Sequence, residues 1–299
     1  MAPWNLQGKT VLITGAARGI GAETARRLAA RGARLSLVGL EPELLEQVAS
    51  ELGEAAWFEC DVTDRASIKA AADATVERFG GIDVVMANAG IGAGGTVLTM
   101  DPAGWERVIE VNLLGVYRTI NVALPHVIER KGYVLPVASM AAAVHAPGMS
   151  AYSASKAAVE ALGDALRPEV KHKGVDVGVA YYSWIDTEMV RGADAREGMS
   201  TLRKRLRGPA AKTFTVEEAG EATAAGIAAR ARRIVVPRNF RAVLVARMLM
   251  GRLSEREMRK DLPAMIELVE REAREKGAEA AAPVGAGGAA DTKAHSQVT

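Results

Sequence analysis

Short apolar runs alternate with helix-patterned segments through the first 190 residues, and that alternation leaves few folds open. Strand-like runs fall at 10–13, 34–38, 56–59, 84–87, 133–137 and 175–180, with a last one at 233–236 after a gap. Between them, apolar residues recur at helical spacing over 20–31, 41–52, 68–79, 105–130, 152–173 and 216–231. Connections this short bring successive strands back in parallel, with helices covering the sheet. Composition agrees with that packing. The chain is 49% hydrophobic but only 4% aromatic, and it is rich in Ala and Gly, which suits close helix-on-sheet contact.

The expected fold class is therefore α/β: a doubly wound (Rossmann) seven-stranded parallel sheet with helices on both faces, spanning residues 1–239. Two stretches stand outside the alternation. Residues 190–214 form a candidate lid, and 240–276 read as an amphipathic helical extension, with Met258, Leu262, Met265, Ile266 and Val269 at helical spacing. From 277 to 299 the composition falls to Ala, Gly and polar residues, which reads as a disordered tail.

Global charge excludes little except nucleic acid. With 38 basic and 36 acidic residues the net charge is +2, so no polyanion-binding surface is expected. The single cysteine, Cys60, cannot form an internal disulfide and fits a reducing compartment. Neither a signal peptide nor an apolar run of about 18 residues is visible. A cytoplasmic protein without a transmembrane span is expected, and no metal site is assigned.

The first strand runs into Thr14-Gly15-Ala16-Ala17-Arg18-Gly19-Ile20-Gly21 and then a helix. Glycines let a strand turn sharply into a helix and let a pyrophosphate approach backbone N–H groups with no Cβ between. The helix N-terminus adds orphan donors and a partial positive charge. This turn is a dinucleotide site, with Gly15, Ala17, Arg18, Gly19, Ile20 and Gly21 as its candidate contacts. The second strand ends at Gly39, where an acid would bind a ribose 2′-hydroxyl and repel a 2′-phosphate. No acid stands there, and Arg18 is available to a phosphate. The cofactor is therefore NAD(P), leaning to NADP.

Tyr152 and Lys156 lie four apart at the start of a helix, on one face. An ammonium one turn from a phenol favours the phenolate, which proton exchange with an alcohol requires. Ser139 follows the fifth strand, 13 residues earlier. Asn88-Ala89-Gly90 closes the fourth strand, Asp61-Val62 the third, and Asn112 sits within the 105–130 helix. The carboxyl ends of parallel strands share one edge, so Ser139, Asn88 and Asp61 should face one crevice.

With Thr14-Gly15-x-x-x-Gly19-x-Gly21, Asn88-Ala89-Gly90, Asn112, Ser139, Tyr152 and Lys156 in order, the sequence resembles the short-chain dehydrogenase/reductase family over residues 6–237. The resemblance implies an NAD(P)-dependent oxidoreductase acting on CH–OH groups. Tyr152 would be the general acid/base and Ser139 would hydrogen-bond the substrate oxygen. Lys156 would bind the nicotinamide ribose and lower the Tyr152 pKa, and Asn112 would help hold a water. It implies cofactor contacts from Asp61, Val62, Asn88, Ala89, Gly90, Tyr152, Lys156, Ile185 and Thr187, and a homodimer or homotetramer. One departure stands out: Tyr182-Ser183 occupies the place of the family's usual Pro-Gly.

Substrate contacts are expected from Ser139, Met140, Ala141, Met149, Trp184 and Met189, a largely apolar set that suits an apolar, fairly bulky alcohol or ketone, or else packs in part beneath the lid. The candidate lid is basic, either to attract an anionic substrate or as a solvated helix face. The extension packs on its own body or a partner subunit, while its Arg-flanked segment at 242–250 suits peripheral contact with a membrane surface. A non-catalytic dinucleotide-binding redox sensor is the alternative function. It would need the glycine turn but not the Ser139, Tyr152 and Lys156 set.

Overall fold

The computed structural model describes residues 3–206, 208–247, 262–277, 280 and 282–296. Part of the 240–276 extension, including Met258, lies outside the described residues. The sheet is built from β1 (Thr10–Thr14), β2 (Arg34–Gly39), β3 (Ala55–Glu59), β4 (Val84–Ala87), β5 (Tyr133–Pro136) and β6 (Asp176–Val177), all parallel, in the order β3-β2-β1-β4-β5-β6. The strand order reverses between β1 and β4, and a crevice opens there at the carboxyl ends. Ile13, Leu35, Leu37 and Met86 are fully buried, each contributing roughly 2 kcal/mol by leaving water.

Helices cover both faces: α1 (Gly19–Ala29), α2 (Pro42–Ser50) and α9 (Val216–Ala228) on one, α3 (Arg65–Phe79), α4 (Pro102–Ile109), α5 (Val116–Glu129) and α6 (Ser150–Lys171) on the other. The expected seven-stranded sheet is corrected in detail. The run at 175–180 breaks at Gly178 into β6 and β7 (Val179–Tyr182), and β7 pairs in parallel with β8 (Arg233–Val236). A bridge between Val137 and Ala180 joins this two-stranded ladder to β5. The break has a steric cause. The Tyr133 hydroxyl donates to Ala231 O at 2.7 Å across Gly178, in the space that a Cβ there would fill.

The helix expected over 105–130 is interrupted by a π turn at Glu110–Gly115 that carries Asn112. Such an insertion rotates one side chain out of the helical repeat. Asn112 is fully buried, pointing toward α6 rather than along the surface stripe. Pro168 lies inside α6, which continues to Lys171.

The lid region holds α7 (Glu188–Asp194) and α8 (Glu197–Arg205). Several of its cations are already engaged: Arg191 pairs with Asp186 at 2.8 Å, and Arg203 pairs with Asp194 and stacks over Trp184 at 4.6 Å. In the extension, α10 (Leu262–Lys276) packs on α8. The tail read as disordered is corrected: Gly285–Ser296 is a helix, α11, packed against α7. Its composition supplies no apolar stripe. Long-range polar pairs help hold it instead: Arg107 Nη2 and Nε donate to the two Asp291 carboxylate oxygens at 2.6 and 3.0 Å. Among the described residues, no helix is long and apolar enough to cross a membrane.

Candidate active site

The crevice at the β1/β4 reversal is a cavity of about 420 Å³. Its walls include Gly15, Ala17, Arg18, Gly19, Ile20 and Gly39 on one side and Ser139, Tyr152 and Lys156 on the other. Asp61, Val62, Asn88, Ala89, Gly90, Ile185 and Thr187 also line it. Most of the residues singled out in the sequence therefore meet in one place.

The glycine turn is fixed by its contacts. Gly15 has φ +65°, and a Cβ there would sit 2.9 Å from Ala89 Cα. Asn88 Nδ2 donates to Thr14 O at 2.9 Å and Gly15 O at 3.1 Å, while the Asn88 and Ala89 N–H groups donate to Thr14 Oγ1. Thus Asn88 staples β1 to β4 rather than standing free. Helix α1 starts at Gly19 with no side chain capping it, so its first-turn N–H groups stay available to an anion. Thr187 caps α7 and packs its methyl beside Gly19, closing the turn from above.

At the other end, Tyr152 lies in the first turn of α6 and Lys156 one turn on. Lys156 is 3% exposed, its Nζ lies 5.7 Å from the Tyr152 ring centre, and it donates to Val137 O at 3.0 Å. Burial pulls the Lys156 ammonium down to about 8. Burial raises the Tyr152 phenol above its usual range, and the Ser139 hydroxyl pulls it the other way. Ser139 Oγ also donates to Tyr182 O at 3.2 Å and accepts from Ala141 N. Asn112 exchanges two hydrogen bonds with the Ile91 backbone and donates to Ser155 Oγ at 3.2 Å, bracing the 88–91 loop against α6. Gly90 is confined by both groups: a Cβ there would lie 3.1 Å from Asn112 Oδ1 and 3.3 Å from Lys156 Nζ.

Family-model comparison matches the short chain dehydrogenase description over residues 9–198. The chain belongs to the short-chain dehydrogenase/reductase family. It is 34% identical to an uncharacterised oxidoreductase of Listeria innocua, covering 67% of this chain and 84% of that one. It is 37% identical to a cis-4-hydroxycyclohexanecarboxylate dehydrogenase of Sinomonas cyclohexanicum, covering 72% and 88%. Among solved structures, a short-chain dehydrogenase/reductase from Burkholderia phymatum in complex with NAD superimposes with TM-score 0.73 at 25% identity, covering 86% of this chain and 96% of that one. This short-chain dehydrogenase/reductase is thus an oxidoreductase using a nicotinamide dinucleotide.

Not every expected contact reaches the crevice. Met189 and Ser139 line it, but Met140, Ala141, Met149 and Trp184 do not. Met140 is buried in the core, Ala141 N–H is spent on Ser139, and Met149 bridges Gly95. Trp184 lies under Arg203. Other groups at the crevice were not among the expected contacts. Glu41 and Glu188 both bind Arg18, with Arg18 Nε 3.0 Å from Glu41. The tail supplies Val284, Gly287, Gly288, Ala290 and Asp291 to the crevice wall. Of these groups, Glu41 lies two positions past the end of the second strand, where it also reads as the opening of the next helix. Cys60 is a core thiol, pushed up to about 11 by burial.

Proposed function

We propose that this short-chain dehydrogenase/reductase interconverts a compact apolar secondary alcohol and its ketone, with Tyr152 as the acid/base. The observation that carries the reading is the buried Lys156 ammonium beneath Tyr152, with one backbone acceptor, in the same crevice as the glycine turn. The dinucleotide fits this crevice: the uncapped α1 turn suits its phosphates, and the remaining Lys156 donors suit ribose hydroxyls. When bound, it supplies or accepts the hydride.

The protein's residues handle the proton and the oxygen. In reduction, a phenol held up by burial keeps its proton until a carbonyl oxygen gains charge, and then Tyr152 Oη donates it. In oxidation, the Lys156 ammonium and the Ser139 hydroxyl favour the phenolate, so Tyr152 Oη takes the alcohol proton. Ser139 Oγ, held by the Ala141 N–H, donates to the same substrate oxygen by turning its one proton from Tyr182 O to the substrate. Asn112 is a positioning residue that fixes the 88–91 loop against α6. Ile91, Met189, Val190 and Val284 line the same crevice as Tyr152 and favour an apolar substrate body, such as the cyclohexane ring, though not the carboxylate, in the name of the Sinomonas relative.

NAD is favoured over NADP. The lean to NADP rests on Arg18 as an open cation, yet Glu41 and Glu188 hold it, leaving the local set at net −1. A 2′-phosphate would have to displace one of those carboxylates.

Isothermal titration with both cofactors, followed by turnover of a panel of cyclic alcohols and ketones, tests the reading. Binding of NAD with turnover that vanishes in Tyr152→Phe is expected. Failure to bind either dinucleotide would falsify it, and full turnover in Tyr152→Phe would remove Tyr152 from the chemistry.

A further inference from the structure

The C-terminal helix α11 lies across the mouth of the crevice and touches both of its ends. At the catalytic end, Val284 N–H donates to Gly92 O at 2.7 Å. Gly285, at φ +77°, then passes close to Glu188 O and to Gly192 of α7. Gly287, Gly288 and Ala290 face the cavity, and a Cβ at Gly287 would meet nothing within 4 Å. At the far end, His295 Nε2 sits 3.1 Å from Asp61 Oδ2.

That far end belongs to the adenosine half of a dinucleotide. Phosphates belong at the α1 N-terminus and the reacting ring at Tyr152, so the remaining half extends toward the ends of β2 and β3. Asp61 stands just past β3 with both carboxylate oxygens engaged. Oδ1 accepts from Thr63 N and Oγ1, each at 2.8 Å, and Oδ2 lies 3.1 Å from His295 Nε2. A ligand donor approaching Oδ2 meets the His295 ring already seated there.

We propose that α11 is a self-occluding strap, latched by His295 on Asp61, that the adenosine half of the cofactor displaces. The inference rests on the dinucleotide reading above. What holds the strap suits displacement. Three glycines, Gly285, Gly287 and Gly288, weaken it as a helix. Its attachments are the Val284 N–H bond to Gly92 O, the packing of Gly285 on α7, and the Asp291–Arg107 and His295–Asp61 pairs, with no apolar stripe along the helix. A segment held this way opens at lower cost than the core.

Full-length wild type and His295→Ala are titrated with AMP, with NMN and with NAD⁺, and wild-type hydrogen exchange is followed with and without saturating NAD⁺. The expected result is AMP binding tightened about threefold to tenfold in His295→Ala, the size of one competing hydrogen bond, with NMN unchanged. Exchange over residues 286–296 should accelerate when NAD⁺ binds. Equal or weaker AMP binding in the variant overturns the strap, as does slower exchange, which would make α11 a cover that closes on the ligand. In either case, intact NAD⁺ binding leaves the dinucleotide reading standing. Absence of AMP, NMN and NAD⁺ binding in both proteins refutes that reading, and the strap with it.

Discussion

The two ends of the crevice are built on opposite terms. At the catalytic end, Lys156 is buried with a single backbone acceptor, and its ammonium is destabilised. At the adenosine end, Arg18, Glu41, Glu188, Arg107, Asp291, Asp61 and His295 are all paired with one another. Unspent hydrogen-bonding capacity and perturbed ionisation mark where protons move. Saturated pairs mark where entry and selectivity are set, because a ligand must exchange partners there.

The sharpest way to break this contrast is at Tyr152. Tyr152→Phe should lower kcat/KM by about 10²–10⁴-fold while the NAD⁺ dissociation constant, measured by titration, stays within about twofold. Equal losses in binding and turnover would mean that the two ends are not separate.

Lys156→Met should lower turnover by about 10²-fold yet raise thermal stability. The folded-state value near 8 lies below the ordinary value of 10.5, so folding costs free energy while the group is charged in both states. That cost is complete below pH 8 and fades as pH rises from 8 toward 10.5, where the unfolded chain also releases its proton. The variant should therefore melt about 3 °C or more above wild type at pH 7 by calorimetry, and the gap should close across that window. A variant that melts lower at every pH would show that the Val137 contact outweighs desolvation.

At the adenosine end, Glu41→Gln combined with Glu188→Gln frees Arg18. The NADP-to-NAD affinity ratio should rise by about 10- to 100-fold in paired titrations, the range expected for a charge-assisted contact to phosphate. An unchanged ratio would place the 2′ position away from Arg18.

The same contrast explains what the sequence made legible. The glycine turn could be read because its requirement is local: Gly15 adopts φ +65° against Ala89, and no other residue type does so at low cost. The Tyr152–Lys156 pair could be read from helical spacing. The adenosine end could not, because its pairs join distant residues: Arg18 to Glu188, Arg107 to Asp291 and Asp61 to His295. The tail composition concealed a helix whose hold is those contacts. The break at Gly178 depends on a hydroxyl from Tyr133 in the neighbouring strand β5, distant along the chain. Met140 and Met149 illustrate the converse error: nearness to Ser139 along the chain did not put them on the crevice wall.

The smallest expected effect concerns the departure from Pro-Gly at Tyr182-Ser183. The Tyr182 phenol is buried, and it shares a 2.6 Å hydrogen bond with Thr223 Oγ1, which also donates to Ala219 O in α9. The Tyr182 backbone carbonyl separately accepts from Ser139. The side chain thus ties β7 to α9 while the main chain serves Ser139. Tyr182→Phe removes the first bond and leaves the second, so stability should fall by about 0.5–1.5 kcal/mol in denaturant melts. Turnover should stay within about twofold if the tie is structural, since a shift this small in free energy leaves the Ser139 contact in place. A tenfold loss of kcat at unchanged KM would instead show that the Tyr182 hydroxyl sets the position of the carbonyl that holds Ser139, extending the catalytic end of the crevice into α9.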